Sequence, residues 1–358
     1  MKSLYLVHTP YHVVLASALA ATDRERDGSD RERHLLSVRD SDMSELLRSL
    51  EVGEDVPFDR MESLPGTLDT TGRRGEVRKK VNSVRVRRYV NRERPDEFYS
   101  FNDHRPESQA AFDALSDDVR RVYVEDGTAA YARFPPADEW TRLGYLKAKL
   151  FYGPWRRNPR ILGTTDWIDE VRAVFPDHLL AELRDRPVSR IPRESVLSLA
   201  DADWFGRYVE RNDVDDVLDR LDALVFVTHS NYVNRVPRYV ETLETLVDRL
   251  TERGYRVGLK YHPRESRKAF ELDRDDVEVV SRGVSAEVLY VADPTLDFVV
   301  GGMSTALLTA RWLLDDATVV SLTEVLDQSN RELPEVFERL GIHVPENRSA
   351  VGQIPIRR

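Results

Sequence analysis

Three short clusters in this sequence combine residue types that could move protons or hold phosphate. In Glu125-Asp126-Gly127, two adjacent carboxylates precede a glycine that lets the backbone turn sharply, a good setting for a general base. Acidic turns also follow strands for plain structural reasons, so the pair alone fixes no role. His262 stands before Pro263, whose ring locks φ and pushes the preceding residue towards an extended conformation. An imidazole held there could carry charge or a proton near neutral pH, yet His-Pro is also an ordinary way to leave a strand. Gly301-Gly302-Met303-Ser304-Thr305 runs into an apolar helical stretch. Free backbone N–H groups, the helix dipole and close approach at Gly302 would make this a phosphate cradle. The plainer reading is that Ser304 caps the helix. No lysine stands beside Ser304, so this is not a Walker motif.

The elements that must position these clusters read as strands alternating with helices. Ser3–Val7 is a continuous apolar run, suited to a central strand buried on both faces. Thr9 then serves as N-cap and Pro10 as first residue of a helix over 11–21. No G-x-G-x-x-G follows, so a dinucleotide fingerprint is absent. Further strands are expected at 34–38, at 97–101 ending in Asn102-Asp103-His104-Arg105, and at 120–124 ending in the acidic pair. A second series follows: a strand at 223–228, a helix from Pro237 to Arg253, the strand carrying His262, and a strand at 277–280. It closes with a helix near 286–289, the strand 297–300, the helix 306–314 and the strand 318–322. Each cluster therefore falls at a strand tip, where open α/β sheets bind ligands.

A chain of 358 residues suggests two domains, with the proline-bounded stretch 187–192 as linker. The expected divisions are 1–190, 191–335 and a tail, 336–358. A net charge of −10 argues against a nucleic-acid partner. There are no cysteines, and no histidine or carboxylate spacing suggests a metal. The start of the chain resembles a signal peptide until His8, Thr9, Pro10 and His12 interrupt it, so a cytoplasmic protein is expected. One segment opposes the overall charge. Between Arg73 and Arg94 lie ten basic residues against Glu76 and Glu93. Val77, Val81 and Val84 recur there at helical spacing, which predicts an amphipathic helix with an arginine-rich outer face. That face is either simply solvated or turned towards an anionic acceptor or the inner face of an anionic cell membrane.

The ordered set of an acidic-acidic-glycine motif, a His-Pro motif and a Ser-Thr motif resembles the bacterial-type sialyltransferases and capsule polysialyltransferases. Thr9-Pro10-Tyr11-His12, Phe175-Pro176 and Ser285-Ala286-Glu287-Val288 are similar to that group too, and the likeness extends loosely over 1–325. The resemblance implies an α/β GT-B fold, with two Rossmann-like domains whose parallel sheets face each other across a cleft. It implies a CMP-activated sialic acid or related nonulosonic acid as donor, a glycan or glycolipid acceptor, inversion, and no cofactor or metal. Residue by residue, it implies Glu125 as general base with Asp126 in support, and His262, Gly302, Ser304 and Thr305 at the CMP phosphate. Glu287 would hold the ribose hydroxyls, although Ser285 stands where a proline is usual. Thr9, Asn102 and Arg105, at the tips of their strands, are expected to touch acceptor or donor. Two other readings stay open: a GT-B transferase or epimerase acting on a UDP- or GDP-sugar, and a non-catalytic glycan- or nucleotide-binding protein.

Overall fold

The computed structural model describes all residues except 28–29, 69, 71, 135–140, 229–237, 263–276, 327–329, 331 and 355–358. Pro237 and Pro263 thus lie outside the described residues. The chain divides into two compact units, Met1–Trp204 and Phe205–Arg358.

Unit 1 is built on a seven-stranded sheet in which every pair is parallel. Its strands are β1 (Lys2–Val7), β2 (Glu32–Arg39), β3 (Arg60–Pro65), β4 (Glu97–Ser100), β5 (Arg120–Val124), β6 (Glu170–Ala173) and β7 (Val188–Arg190). Their order is β3-β2-β1-β4-β5-β6-β7. The run Leu4–Val7 is fully enclosed, as its unbroken apolar sequence requires of a strand covered on both faces. The sense of the strand order reverses between β1 and β4, the place where doubly wound sheets bind ligands. The proline-bounded stretch 187–192 carries β7, which pairs with β6, so it belongs to this sheet.

Unit 2 holds a second parallel sheet, ordered β10-β9-β8-β11-β12. It comprises β8 (Ala223–Val227), β9 (Val257–Tyr261), β10 (Val277–Val280), β11 (Phe298–Gly301) and β12 (Thr318–Ser321). Leu243, Leu246, Val247 and Leu250, on the helix Tyr239–Glu252, pack against Val225, Leu259 and Val300. Val351 and Ile354 join the same core, which makes the end of the chain part of unit 2. Among the described residues, no helix is long and apolar enough to cross a membrane.

The arginine-rich segment is the helix Gly72–Glu93, but its buried face is not the valine stripe expected from spacing. Val77, Val81 and Val84 are exposed, while Asn82, Ser83, Val86, Tyr89 and Val90 face inward. Polar bonds decide the rotation. The Asn82 side-chain amide donates to the Pro65 carbonyl at 2.8 Å, and the Tyr89 hydroxyl meets His34 Nδ1 at 3.0 Å. Such buried polar groups need fixed partners, and here they outweigh exposure of three valines.

Just beyond β3, Gly66 lets that strand close on the end of β2. A Cβ there would overlap the Arg39 carbonyl oxygen and stand 2.5 Å from the Asp40 nitrogen. Gly66→Ala is therefore expected to lower unfolding free energy by roughly 1–3 kcal/mol, the usual cost of overpacking. Urea denaturation measures it, and an unchanged midpoint would contradict the close approach.

Candidate active site

The first centre of interest grows out of the tip of β1. Thr9 Oγ1 accepts from the His12 N–H at 3.3 Å, capping the helix Pro10–Asp27 as expected. That helix start brings His12 one turn above His8. The main-chain N–H of His8 points at His12 Nδ1, 3.2 Å away. A backbone N–H can only donate, so Nδ1 must accept and the ring proton must sit on Nε2. Nε2 then donates to Asp126 Oδ1 at 2.8 Å. The His12 ring stacks on Phe101, with centroids 4.7 Å apart and planes 18° from parallel.

Asp126 is bound from the other side by Asn102, whose amide donates to Oδ2 at 2.7 Å. Burial raises the Asp126 pKa, but the His12 and Asn102 bonds outweigh it and leave the carboxyl below its ordinary value. With a quarter of its side chain still accessible, Asp126 is an ionised carboxylate facing outward. Gly127 follows in the left-handed region at φ 63°, the turn that the sequence expected a glycine to supply.

Its neighbour Glu125 faces the opposite way. It is 1% exposed and accepts from Tyr11 at 2.8 Å, from the Val174 N–H at 2.8 Å, and from Tyr131. Burial pushes its carboxyl up to about 8, against the lowering pull of the Val174 and Tyr11 bonds. Successive strand residues point to opposite sides, and that alternation separates the two acids.

A second buried cluster lies beside the first. His8 Nδ1 meets Asp40 at 3.3 Å, and its Nε2 meets Ser108 at 3.4 Å. Arg105 pairs with Asp40 at 2.9 Å, and Thr67 donates to it through both N–H and hydroxyl. Burial lowers the His8 pKa to about 4, so the ring is neutral near pH 7. Arg105, expected to touch a ligand, thus anchors Asp40 with about a quarter of its side chain accessible. The sequence offers His8 only as an interruption of an apolar run and His12 as that and the last residue of the Thr9-Pro10-Tyr11-His12 likeness, with no role for either, and it does not single out Asp40. The signal that could have found them is their place at the tips of β1 and β2.

In unit 2, His262 is exposed at the tip of β9. Ser304 caps the helix Thr305–Leu313, its Oγ accepting from the Ala306 N–H at 3.2 Å. The tips of β9 and β11 are separated only by β8, so they lie roughly 10 Å apart on one edge of the sheet. Glu287, on the helix Ala286–Ala292, is buried and accepts from Thr309 at 3.4 Å. Thr309 Oγ1 also lies 3.3 Å from the Thr305 carbonyl, which ties Glu287 to the Ser304-Thr305 turn. Burial raises the Glu287 pKa. Lys260, which sequence reading missed, is buried in β9 and donates to the Ser281 carbonyl at 2.9 Å. Burial brings its amine down to about 8, against the pull of Glu287. Among the described residues, no group of three or more His, Cys, Asp or Glu side chains is placed to hold a metal ion.

The family model for alpha-2,8-polysialyltransferase (POLYST) matches residues 73–323, a span that takes in the acidic pair, His262 and Ser304-Thr305. This chain belongs to the alpha-2,8-polysialyltransferase family. It is accordingly a glycosyltransferase of the sialyltransferase type. No curated protein matches it in sequence. Among solved structures it is similar to the α/β-galactoside α-2,3-sialyltransferase of Photobacterium phosphoreum, with a TM-score of 0.56, 11% identity, and 99% of each chain covered. It is also similar to the GT-B domain of the Photobacterium damselae sialyltransferase, at TM-score 0.51 and 13% identity over 96% of this chain and 98% of that one. The UDP-GlcNAc 2-epimerase of Methanocaldococcus jannaschii, in complex with UDP-GlcNAc and UDP, gives a TM-score of 0.60 at 12% identity. There the match covers all of this chain and 93% of the epimerase. At these identities the likeness establishes the fold, and the fold is GT-B.

The raised pKa of Glu125 has a measurable consequence for this polysialyltransferase-family protein. An acid whose folded pKa exceeds its unfolded value keeps its proton on folding. Its contribution to stability is complete below the unfolded value near 4.5 and is lost as pH rises through about 8. Glu125→Gln cannot ionise, so urea midpoints of variant and parent should move in the variant's favour from pH 5 to pH 8. Parallel pH profiles would show that Glu125 is ionised in the fold.

Proposed function

We propose that this protein transfers a sialic acid or related nonulosonic acid from a CMP-activated donor to a glycan acceptor, inverting the anomeric carbon without a metal ion. The observation that carries the reading is Asp126: ionised, outward-facing, and gripped by His12 and Asn102 beside the switch point of the unit 1 sheet. Membership of the polysialyltransferase family supports the substrate class.

In this reading Asp126, rather than Glu125, takes the proton of the acceptor hydroxyl. The hydroxyl oxygen attacks the anomeric carbon while the bond from that carbon to the CMP phosphate oxygen breaks. A single displacement of this kind inverts the centre. Glu125 acts as a positioning residue, since its oxygens are taken up by Tyr11, Tyr131 and the Val174 N–H. The departing CMP carries developing negative charge on phosphate. His262, the backbone around Gly302, and the Ser304-Thr305 start of a helix are the groups of unit 2 suited to receive it. Charge that appears only as the bond breaks is stabilised more in the transition state than in the ground state. Glu287 is the proposed contact for the ribose hydroxyls, with Lys260 supplying a neighbouring positive charge.

The same fold occurs in a UDP-GlcNAc 2-epimerase, which keeps a UDP-sugar reading in play. Nucleotide preference separates the two, because a ligand bound only by the native state raises the melting temperature by mass action. CMP or CDP should stabilise the protein more than UDP or GDP, and His262→Ala should weaken the CMP effect with the fold intact. Asp126→Asn should slow transfer roughly 10²–10⁴-fold, the usual worth of a positioned base, with CMP affinity little changed. Glu125→Gln should be the milder change. The reverse order of severity would assign the base to Glu125, and indifference to both changes would remove the mechanism.

A further inference from the structure

The helix Arg142–Tyr152 has no buried residue at all, although Leu143, Leu146 and Leu150 recur along one side of it. They are 60, 54 and 79% exposed. An 11-residue helix is marginal in water unless an apolar face is covered. Beside it runs the helix Gly72–Glu93, with Val77, Val81 and Val84 also exposed. The two are joined where the Tyr152 hydroxyl donates to Glu76 at 2.5 Å and Lys80 lies 4.6 Å above the Phe151 ring.

Charge follows the same two helices. Together they carry twelve basic residues against two acidic ones, in a chain of net charge −10. Both acids are engaged, Glu76 by Lys79 and Tyr152, and Glu93 by Lys2 and Arg60. Four of the seven lysines of the protein, Lys79, Lys80, Lys147 and Lys149, sit here. At 3.6 residues per turn, the three valines share an arc of about 140° with Arg73, Arg74, Lys80, Arg85 and Arg88. A groove of ≈ 560 Å³ opens among Arg73, Arg78, Val81 and Arg85.

A soluble polyanion would need the cations but not these six exposed valines and leucines between them. A bilayer surface uses both, the apolar residues entering the headgroup region while lysine and arginine stems snorkel to lipid phosphates. We propose that the paired helices Gly72–Glu93 and Arg142–Tyr152 form a docking surface for a membrane rich in anionic lipid. The surface lies within unit 1, and its binding can be read without any transfer reaction. Failure of the proposed activity would therefore leave it standing, and the converse also holds.

Co-sedimentation of the full chain with vesicles tests it. Binding is expected to vesicles of phosphatidylcholine with about a third phosphatidylglycerol, to fall with salt, and to be absent with phosphatidylcholine alone. Replacing Arg73, Arg74 and Arg85 with glutamine should weaken partitioning roughly 10²-fold, at about 1 kcal/mol per charge. Replacing Leu143, Leu146 and Leu150 with serine should abolish vesicle binding while heparin retention stays as in the parent. These side chains are exposed, and a melting curve verifies folding of each variant. The proposal is overturned if the parent ignores anionic vesicles, or if the leucine variant binds them as the parent does. The latter result would make the face a site for soluble polyanions.

Discussion

A single main-chain hydrogen bond sets the chemistry of unit 1. Because the His8 N–H points at His12 Nδ1, the imidazole has one neutral tautomer available, and its remaining proton goes to Asp126. The strand-to-helix turn at Thr9-Pro10 fixes that geometry, and the ring of Phe101 keeps the imidazole from rotating. His12 therefore orients a carboxylate, with Nδ1 taken up by the His8 N–H and Nε2 by Asp126. The arrangement holds Asp126 as a fixed, ionised carboxylate at the end of the sheet.

Burial does the rest of the sorting. Glu125 and Asp126 are chemically alike and adjacent, yet one is driven towards the protonated state and the other towards the ionised one. The difference lies in access: Glu125 points between tyrosines into the core, and Asp126 points outward between a histidine and an asparagine. Unit 2 repeats the principle with Lys260 and Glu287, where burial lowers the amine and raises the carboxyl, and Thr309 ties Glu287 to the helix start at Thr305. In both units the polar groups collect at the carboxyl ends of parallel strands, where the helices that follow present their N-termini.

The long apolar strands and their tips were legible in sequence because period and composition act locally. β1, β2, β5, β8, β11 and β12 lie where their apolar runs lie. β3, β6 and β7 were not legible. Arg60–Pro65 is a largely exposed edge strand without an apolar run, and the other two span only four and three residues. The acidic pair, its glycine turn and the Thr9 cap could be read directly. The partners of the pair could not, since His12 and Asp126 are 114 positions apart and meet only through sheet order. Spacing also misplaced the buried face of the arginine-rich helix, because the bonds of Asn82 and Tyr89 to other elements carry no periodic signal.

The central claim is that this chain moves a nonulosonic acid by direct displacement from CMP. It is tested most directly by incubating the protein with CMP-N-acetylneuraminic acid and a sialylated oligosaccharide in the presence of a chelator. Mass spectrometry and NMR would follow the products. The account predicts an acceptor heavier by one or more sialyl residues, linked with anomeric configuration opposite to the donor's, and one CMP released per residue added. CMP-sugar left intact, with a UDP-sugar epimerised or transferred in its place, would contradict it.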